Sequence, residues 1–434
     1  MFDLTMGPPR AAALVLLATG LAAAGTAPAA AADVKAPPLA PKAEAVRACP
    51  EYGAGFIRLP GTDVCLKTTI DLTAEMKLDL ATKDIYIETT RVAGNPLAFY
   101  EATALARSIN MTSSRLDARI SFMTMSKIGD MPVMTFTSLR SAPNLTAADA
   151  RATTTLSDDV VRLDQAWIKY AGFTAGRHAS YFDFTPGYTY TGGYASSRTL
   201  NLFAFTRTFG SEASLSFAVE DGIDRRVEDG VWAAYGGQRM PDLVGQARWA
   251  PKWGTLHAAA ALHEINDTVN ARTVYGYAFN TGIELRKKWS ELFGATAGET
   301  YGRVLLSGSY AKGAIGYLGI PKFATDYVAD ITGKTELTRG YSFVASYEHV
   351  WAPNFKTTAA VSAYRVTSDM LNYNHAVRGM VAQVGAEYMP VSGLMVGIEA
   401  DYFRDSVRGT YFGVPADKDK VGIFTAFAYI RRRI

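Results

Sequence analysis

Apolar and polar residues that alternate one for one over long stretches limit this chain more than any other feature. Leu66, Thr68, Ile70, Leu72, Ala74, Met76, Leu78 and Leu80 interleave with Lys67, Thr69, Asp71, Thr73, Glu75, Lys77 and Asp79. A strand sends these two sets to opposite faces, whereas a helix scatters them around its axis. The same separation recurs in Leu116/Ala118/Ile120/Phe122 against Arg115/Asp117/Arg119/Ser121. It returns in Met380/Ala382/Val384/Ala386/Tyr388 and in Leu394/Val396/Ile398/Ala400/Tyr402. The chain is therefore read as all-β.

Turn signals divide these strands unevenly. Short Gly/Pro turns fall at 170–173, 209–212, 250–254, 352–354 and 390–393. Longer polar stretches fall between them, at 81–108, 142–157, 180–198, 221–240, 312–326, 367–378 and 405–419. Tight turns alternating with long stretches suggest a barrel with one plain rim and one elaborated rim. At about 23 residues per strand and connection, the chain from residue 66 to 434 holds 16 strands, and several alternating runs reach the ~10 residues that cross a bilayer with tilt. Sixteen strands enclose an aqueous channel rather than a lumen filled by side chains.

The N-terminus indicates export. Arg10, the apolar stretch 11–24 and Ala30-Ala31-Ala32 have the three parts of a secretory leader, which assigns 1–32 to a cleaved signal peptide. No later apolar run approaches the ~20 residues of a spanning helix. In an oxidising compartment Cys49 and Cys65 pair, and closing a loop of that size contributes about 3 kcal/mol. Metal binding by these two cysteines would want a C-x-x-C or a nearby histidine, and the sequence has neither. Residues 33–65 are read as a periplasmic segment pinned by that disulfide.

Alternation alone fits two architectures. A soluble sandwich turns the apolar faces into a core, while an outer-membrane barrel turns them to lipid and lines a wet lumen with the charged set. Export, strand length and alternating loop sizes favour the barrel. A net charge of +3 gives no basis for a nucleic-acid partner. Chemistry for an enzyme is also missing. His263-Glu264 begins like a zinc helix motif, but position 267 is Asp; Gly333-Lys334-Thr335 ends like a P-loop, but position 328 is Val. No cofactor or metal is expected, and His257 and His263 are read as lumen side chains.

The Cys-bounded opening Cys49-Pro50-Glu51-Tyr52-Gly53-Ala54-Gly55-Phe56, the Leu59-Pro60-Gly61-Thr62 that runs into Cys65-Leu66-Lys67, and Met240-Pro241-Asp242-Leu243-Val244-Gly245 resemble the alphaproteobacterial, rhizobial-type outer-membrane porins. The stretch Ala166–Arg177 resembles the strand pair before that family's constriction loop. The resemblance implies a 16-stranded antiparallel transmembrane β-barrel with short periplasmic turns, long external loops and an inward-folded third loop. It also implies a homotrimer in outer-membrane lipid, passing small hydrophilic solutes and ions by passive diffusion. One departure is the last residue, Ile434, where the family usually ends in an aromatic.

Loop 178–198 carries Tyr181, Phe182, Phe184, Tyr188, Tyr190 and Tyr194, too many rings for a solvated loop. By resemblance it is the third external loop, and its one acid, Asp183, faces wall bases across the constriction. Those bases are Arg115 and Arg119, with Lys67, Lys77 and Lys169 as further candidates. A substrate-selective channel on the same barrel, or a secreted soluble β-rich enzyme or binding protein, are the alternatives. Saturable uptake would identify the first, and membrane fractionation the second.

Overall fold

The computed structural model describes residues 47–81, 112–141, 161–228, 233–288, 301–320, 324–329, 333–370, 373–411, 414–415 and 421–434. The leader assigned to 1–32, the segment 33–46 and the connections at 82–111 and 142–160 lie outside them. Sixteen strands form one closed antiparallel sheet. They are β1 (Cys65–Ala81), β2 (Thr112–Ile128), β3 (Met131–Ser141), β4 (Val161–Tyr170), β5 (Phe173–Ala179), β6 (Thr199–Phe209), β7 (Ala213–Glu220) and β8 (Asp242–Trp249). The rest are β9 (Gly254–Asp267), β10 (Arg272–Lys288), β11 (Tyr301–Lys312), β12 (Arg339–Ala352), β13 (Phe355–Met370), β14 (Tyr373–Val391), β15 (Leu394–Tyr411) and β16 (Val421–Arg433).

Each strand pairs with its neighbours in sequence, and β16 closes the ring against β1 through pairs such as Ala426↔Leu78 and Arg431↔Thr73. Ile434 completes the seam by exchanging two backbone hydrogen bonds with Ile70, at 3.0 and 2.9 Å. Beyond that point β1 has no strand on this side. The short strands Arg47–Ala48 and Ile57–Arg58 fill the gap, pairing with each other and with Cys65–Leu66. The Cys49–Cys65 disulfide, with Cα atoms 6.3 Å apart, ties them down over Phe56, Met123 and Met125. An open edge is a template for mispairing, and this ribbon covers it.

Side-chain direction follows the alternation. Leu116, Phe203, Val384 and Ile398 face outward and are each more than half exposed, while Asp401, Gln383 and Ser362 face inward and are buried. Rings mark two outward belts: Tyr275, Tyr277, Tyr310 and Tyr341 towards the loop rim, and Trp249, Trp253, Trp351 and Tyr388 towards the turn rim. Such paired belts flank the hydrocarbon of membrane barrels. At the turn between β4 and β5, Ala171 (φ 51°) and Gly172 (φ 87°) are both left-handed, as two-residue hairpins require.

Two sequence expectations need correction. The polar stretches at 367–378 and 405–419 are not long loops: β13 and β14 are separated by two residues, and β15 runs to Tyr411. Their polar residues extend the strands past the tyrosine belt, so polarity there marks a change of solvent and not of structure. Second, not every strand has one apolar and one charged face. In β6 the inward Leu200, Leu202 and Ala204 are buried while Phe203 and Phe205 face outward. Loops fold inside the barrel over this wall and supply the apolar cover. Placing Arg at Val384, well inside the ring belts, should destabilise the barrel by about 2–4 kcal/mol. Urea unfolding in lipid vesicles measures it; a cost under 1 kcal/mol would contradict the outward, lipid-facing orientation.

Candidate functional site

Residues 180–198, the connection from β5 to β6, enter the barrel and lie along its inner wall (loop 3). Their course can be followed by hydrogen bonds. Near the start, Ser180 Oγ (2.7 Å) and the Tyr181 N–H (2.8 Å) donate to the buried Glu220 carboxylate of β7. Phe182 packs edge-on against Tyr317, and Phe184 stacks on His257 of β9 at 5.0 Å. Farther along, the Tyr188 N–H donates to Ser346 of β12 and Thr189 to Gln383 of β14. At the tip the N–H groups of Tyr190 and Thr191 both donate to Glu399 of β15, at 2.5 and 2.9 Å. The Tyr190 hydroxyl reaches Glu75 of β1, and its ring stacks on Tyr429 of β16 at 3.9 Å. The returning limb is held by Ser362 and Tyr364 of β13.

The wall is shaped to receive this loop. A Cβ at Gly282 would overlap the Phe184 ring, and a Cβ at Gly193 would press on the Ser362 side chain. Small inward residues (Ala218, Ala278, Ser307, Ser342, Ser346, Ser362) keep the surface low enough for backbone to lie against it. Buried carboxylates then take the loop N–H groups that water would otherwise satisfy. The loop thereby covers the wall from β9 round to β16, and its tip touches β1. Tyr181 reaches β5 through Thr174 and His178, and among the described residues no hydrogen bond or ring contact joins the loop to the inner face of β2 to β4.

Four arginines line the inner face of β2 to β4. Arg119 and Arg140 are direct cross-strand partners, and so are Arg140 and Arg162. Like charges in such register repel unless acids intervene. Asp117 pairs with Arg115 at 2.7 Å and with Arg140 Nε at 3.0 Å, while Asp164 pairs with Arg119 at 3.2 Å. Four guanidinium groups against two carboxylates leave this face net positive. Below them Phe136 and Trp167 stack at 5.5 Å, with His178 against Trp167 and Tyr181 against His178.

The structure brings Arg115 and Arg119 together on this face and places the other named residues apart. Asp183 spans its own loop: its carboxylate accepts from Ser196 Oγ, from the Arg198 N–H at 2.6 Å and from the Arg225 guanidinium at 3.1 Å. The Arg225 side chain is fully buried and lies 4.2 Å from the Tyr317 ring, so the charge of Asp183 is met inside the loop base. Tyr181 donates its hydroxyl to Thr174 at 3.0 Å. Lys67 donates to the Ala54 carbonyl beside Phe56, at the turn rim. Lys77 pairs with Asp79 at 2.7 Å, and Lys169 sits 4.6 Å over the Trp167 ring. His263 pairs with Asp242 at 2.8 Å. One group with metal-ligand geometry occurs among the described residues, Cys49, Glu51 and Cys65, and its two sulfurs form the disulfide.

Arg140 and Arg162 escaped the sequence reading: Arg140 follows the inward parity of β3, but Arg162 is out of step with the inward Gln165, Trp167 and Lys169 of β4. A one-residue irregularity between Ser138 and Leu139 shifts that parity within the pair. Glu399, Glu220 and Arg225 carry no local signal, since their role depends on a loop about 30 to more than 200 residues away in sequence. Replacing Arg225 by Met leaves Asp183 buried without its counter-charge, a loss of about 3–5 kcal/mol at the loop base. The expected outcome is a noisier channel of larger mean conductance in planar bilayers, and unchanged current noise would show that the clasp does not hold loop 3.

Comparison with known proteins agrees with this geometry. A family model described as a porin subfamily matches residues 34–421. Porin Omp2b of Brucella suis biovar 1 is 25% identical over 364 residues, covering 80% of this chain and 91% of that protein. Porin Omp2b of Brucella melitensis biotype 1 has the same identity and coverage. Among solved structures, the outer membrane channel DcaP of Acinetobacter baumannii superposes with a TM-score of 0.62 at 12% identity, over 87% of this chain and 99% of that one. Pseudomonas putida OprB superposes at 0.52 and 12% identity, over 85% and 94%. These two likenesses concern the fold. With most of its length matched by the family model, the chain belongs to the porin subfamily and forms a channel in the outer membrane.

Proposed function

We propose that this porin, once its leader 1–32 is removed, is a homotrimeric general diffusion channel for small hydrophilic solutes and ions. The observation that carries the reading is the asymmetry of the lumen. Loop 3 is bonded to one wall by Glu220, Glu399 and Gln383, and the opposite wall presents Arg115, Arg119, Arg140 and Arg162 to the space left open. Acids on the loop side (Glu399, Asp401) against bases on the other make a transverse field that orders water and sorts polar solutes by charge and dipole. In this reading Asp183 holds the loop in place, and Arg119 with Arg140 supplies most of the field at the constriction. The channel has no catalytic step.

The trimer reading draws on the outward face of β1 to β3. Thr68, Thr124, Thr135 and Thr137 project there, and Thr124 and Thr135 bond to each other at 2.6 Å. Lipid tails offer hydroxyls no partner, so such a face suits contact with another subunit. Planar-bilayer recording tests both parts. Conductance steps in groups of three are expected, and a double Arg119→Ser, Arg140→Ser variant should shift the cation-to-anion permeability ratio by about twofold towards cations. Single steps would refute the trimer. An unchanged reversal potential in the double variant would place the selective point elsewhere.

A further inference from the structure

The registers of β2, β3 and β4 arrange the inward side chains below the arginines in rows. Two residues towards the turn rim from Arg119 and Arg140 the wall is hydroxyl and amide, with Ser138 between Ser121 and Gln165. Two residues further it turns apolar: Phe136 lies between Met123 on β2 and Trp167 on β4. One more step brings Met134 of β3 beside Lys169 of β4. At about 3.4 Å per residue the rows are roughly 7 Å apart, so the rings sit about 14 Å below the guanidinium groups.

Two features of the lower rows are unexplained by the barrel itself. First, Phe136 and Trp167 stack at 5.5 Å with 25° between their planes, both are half-buried, and loop 3 does not reach this part of the wall. The indole N–H is met by Gln165 Oε1 at 3.2 Å, which holds the ring in place. Aromatic area kept open to a wet lumen carries a hydration cost that a flat apolar solute would remove. Second, the Lys169 amine lies 4.6 Å over the Trp167 ring. Arg115, Arg119 and Arg140 are each committed to an acid, whereas Lys169 has no carboxylate partner among the described residues. Its charge is answered by a ring face alone, and a solute carboxylate would meet it more fully.

We propose that Phe136, Trp167 and Lys169 form a weak binding station for aromatic carboxylates inside the pore. The solute's ring lies against Phe136 and Trp167, and its carboxylate meets the Lys169 amine. Rings and amine occupy adjacent rows, so one small molecule touches both. The assignment rests on the channel reading and names a solute class within it. A sugar would want donors and acceptors around every hydroxyl, and this row offers rings and a thioether instead. The arginines nearer the loop rim draw anions to this side of the lumen, and the station below selects among them those that carry a ring. Binding has to be weak, since a site inside a channel must release what it takes up.

Planar-bilayer recording of the full-length protein in potassium chloride, titrated with sodium benzoate, tests it. Sodium acetate supplies the charge without the ring, and benzamide the ring without the charge. Benzoate should block at a concentration about tenfold lower than acetate or benzamide. Trp167→Ala and Lys169→Gln should each raise the half-blocking concentration of benzoate about fivefold and leave that of acetate within about twofold. Trp167→Phe keeps a ring and should keep the preference, which a merely structural tryptophan would not require. Equal block by benzoate and acetate overturns the proposal, and so does block by benzamide at the benzoate concentration or an unchanged benzoate titration in both variants. Should Trp167→Ala not run as a folded, heat-modifiable barrel, Lys169→Gln and the three solutes on wild-type protein decide the matter. Channels that conduct without preferring benzoate defeat the station alone, whereas protein that forms no channels defeats the porin reading.

Discussion

In hydrocarbon no water is available to a backbone N–H or C=O, so a sheet crossing a membrane has to close on itself. Here closure depends on one seam, β16 against β1, finished by the two hydrogen bonds between Ile434 and Ile70. Other features follow from that requirement. The outward faces can be wholly apolar because no edge needs protecting within the membrane. Where β16 stops short, the disulfide-tied ribbon at 47–58 continues the pairing. Ile434 meets the same need with its backbone.

Closure around 16 strands leaves an interior too wide for wall side chains to fill, and the interior is then divided by a loop. Loop 3 is held by acceptors that belong to the wall, and the wall is kept low by small residues so the loop can lie flat. The division is lopsided. One side is a packed structure of rings, buried carboxylates and backbone donors; the other is a row of arginines facing water. Elsewhere the inner wall of β6 to β9 carries a buried apolar cluster, Leu200, Leu202, Ala204, Ala218, Val244, Ala259 and Ala261, set among the buried Glu220, Asp242, His257 and His263.

The sequence discloses the parts of this architecture that depend on near neighbours. Alternation in β1, β2, β14 and β15 marks strands because a residue and its second neighbour share a face. The aromatic excess in 178–198 marks an inward loop because rings need cover. What stays hidden depends on distant partners. Asp183 reads as an acid aimed across the pore, since nothing near it in sequence reveals Arg225, buried 42 positions away. Lys67 reads as a lumen base, while its amine is committed to the Ala54 carbonyl of a segment folded back over it. Polar runs after Arg365 and Arg404 read as loops because composition reports the solvent a residue meets, and beyond the tyrosine belt that solvent is no longer hydrocarbon.

The seam also orders the assembly of the molecule in time. Arg433 and Asp71 meet across 362 positions, a far longer chain closure than any hairpin in the sheet demands. Closure entropy grows with the intervening length, and contacts of high sequence separation form late. Hairpins such as β4–β5 can form while the chain is still emerging, and Cys49 can find Cys65 before the second strand exists. The edges of β1 and β16 meet after everything between them is in place. Until then the growing sheet has two open edges and an apolar outer face, so its passage across the periplasm is a race between zipping that seam and pairing with the wrong strand.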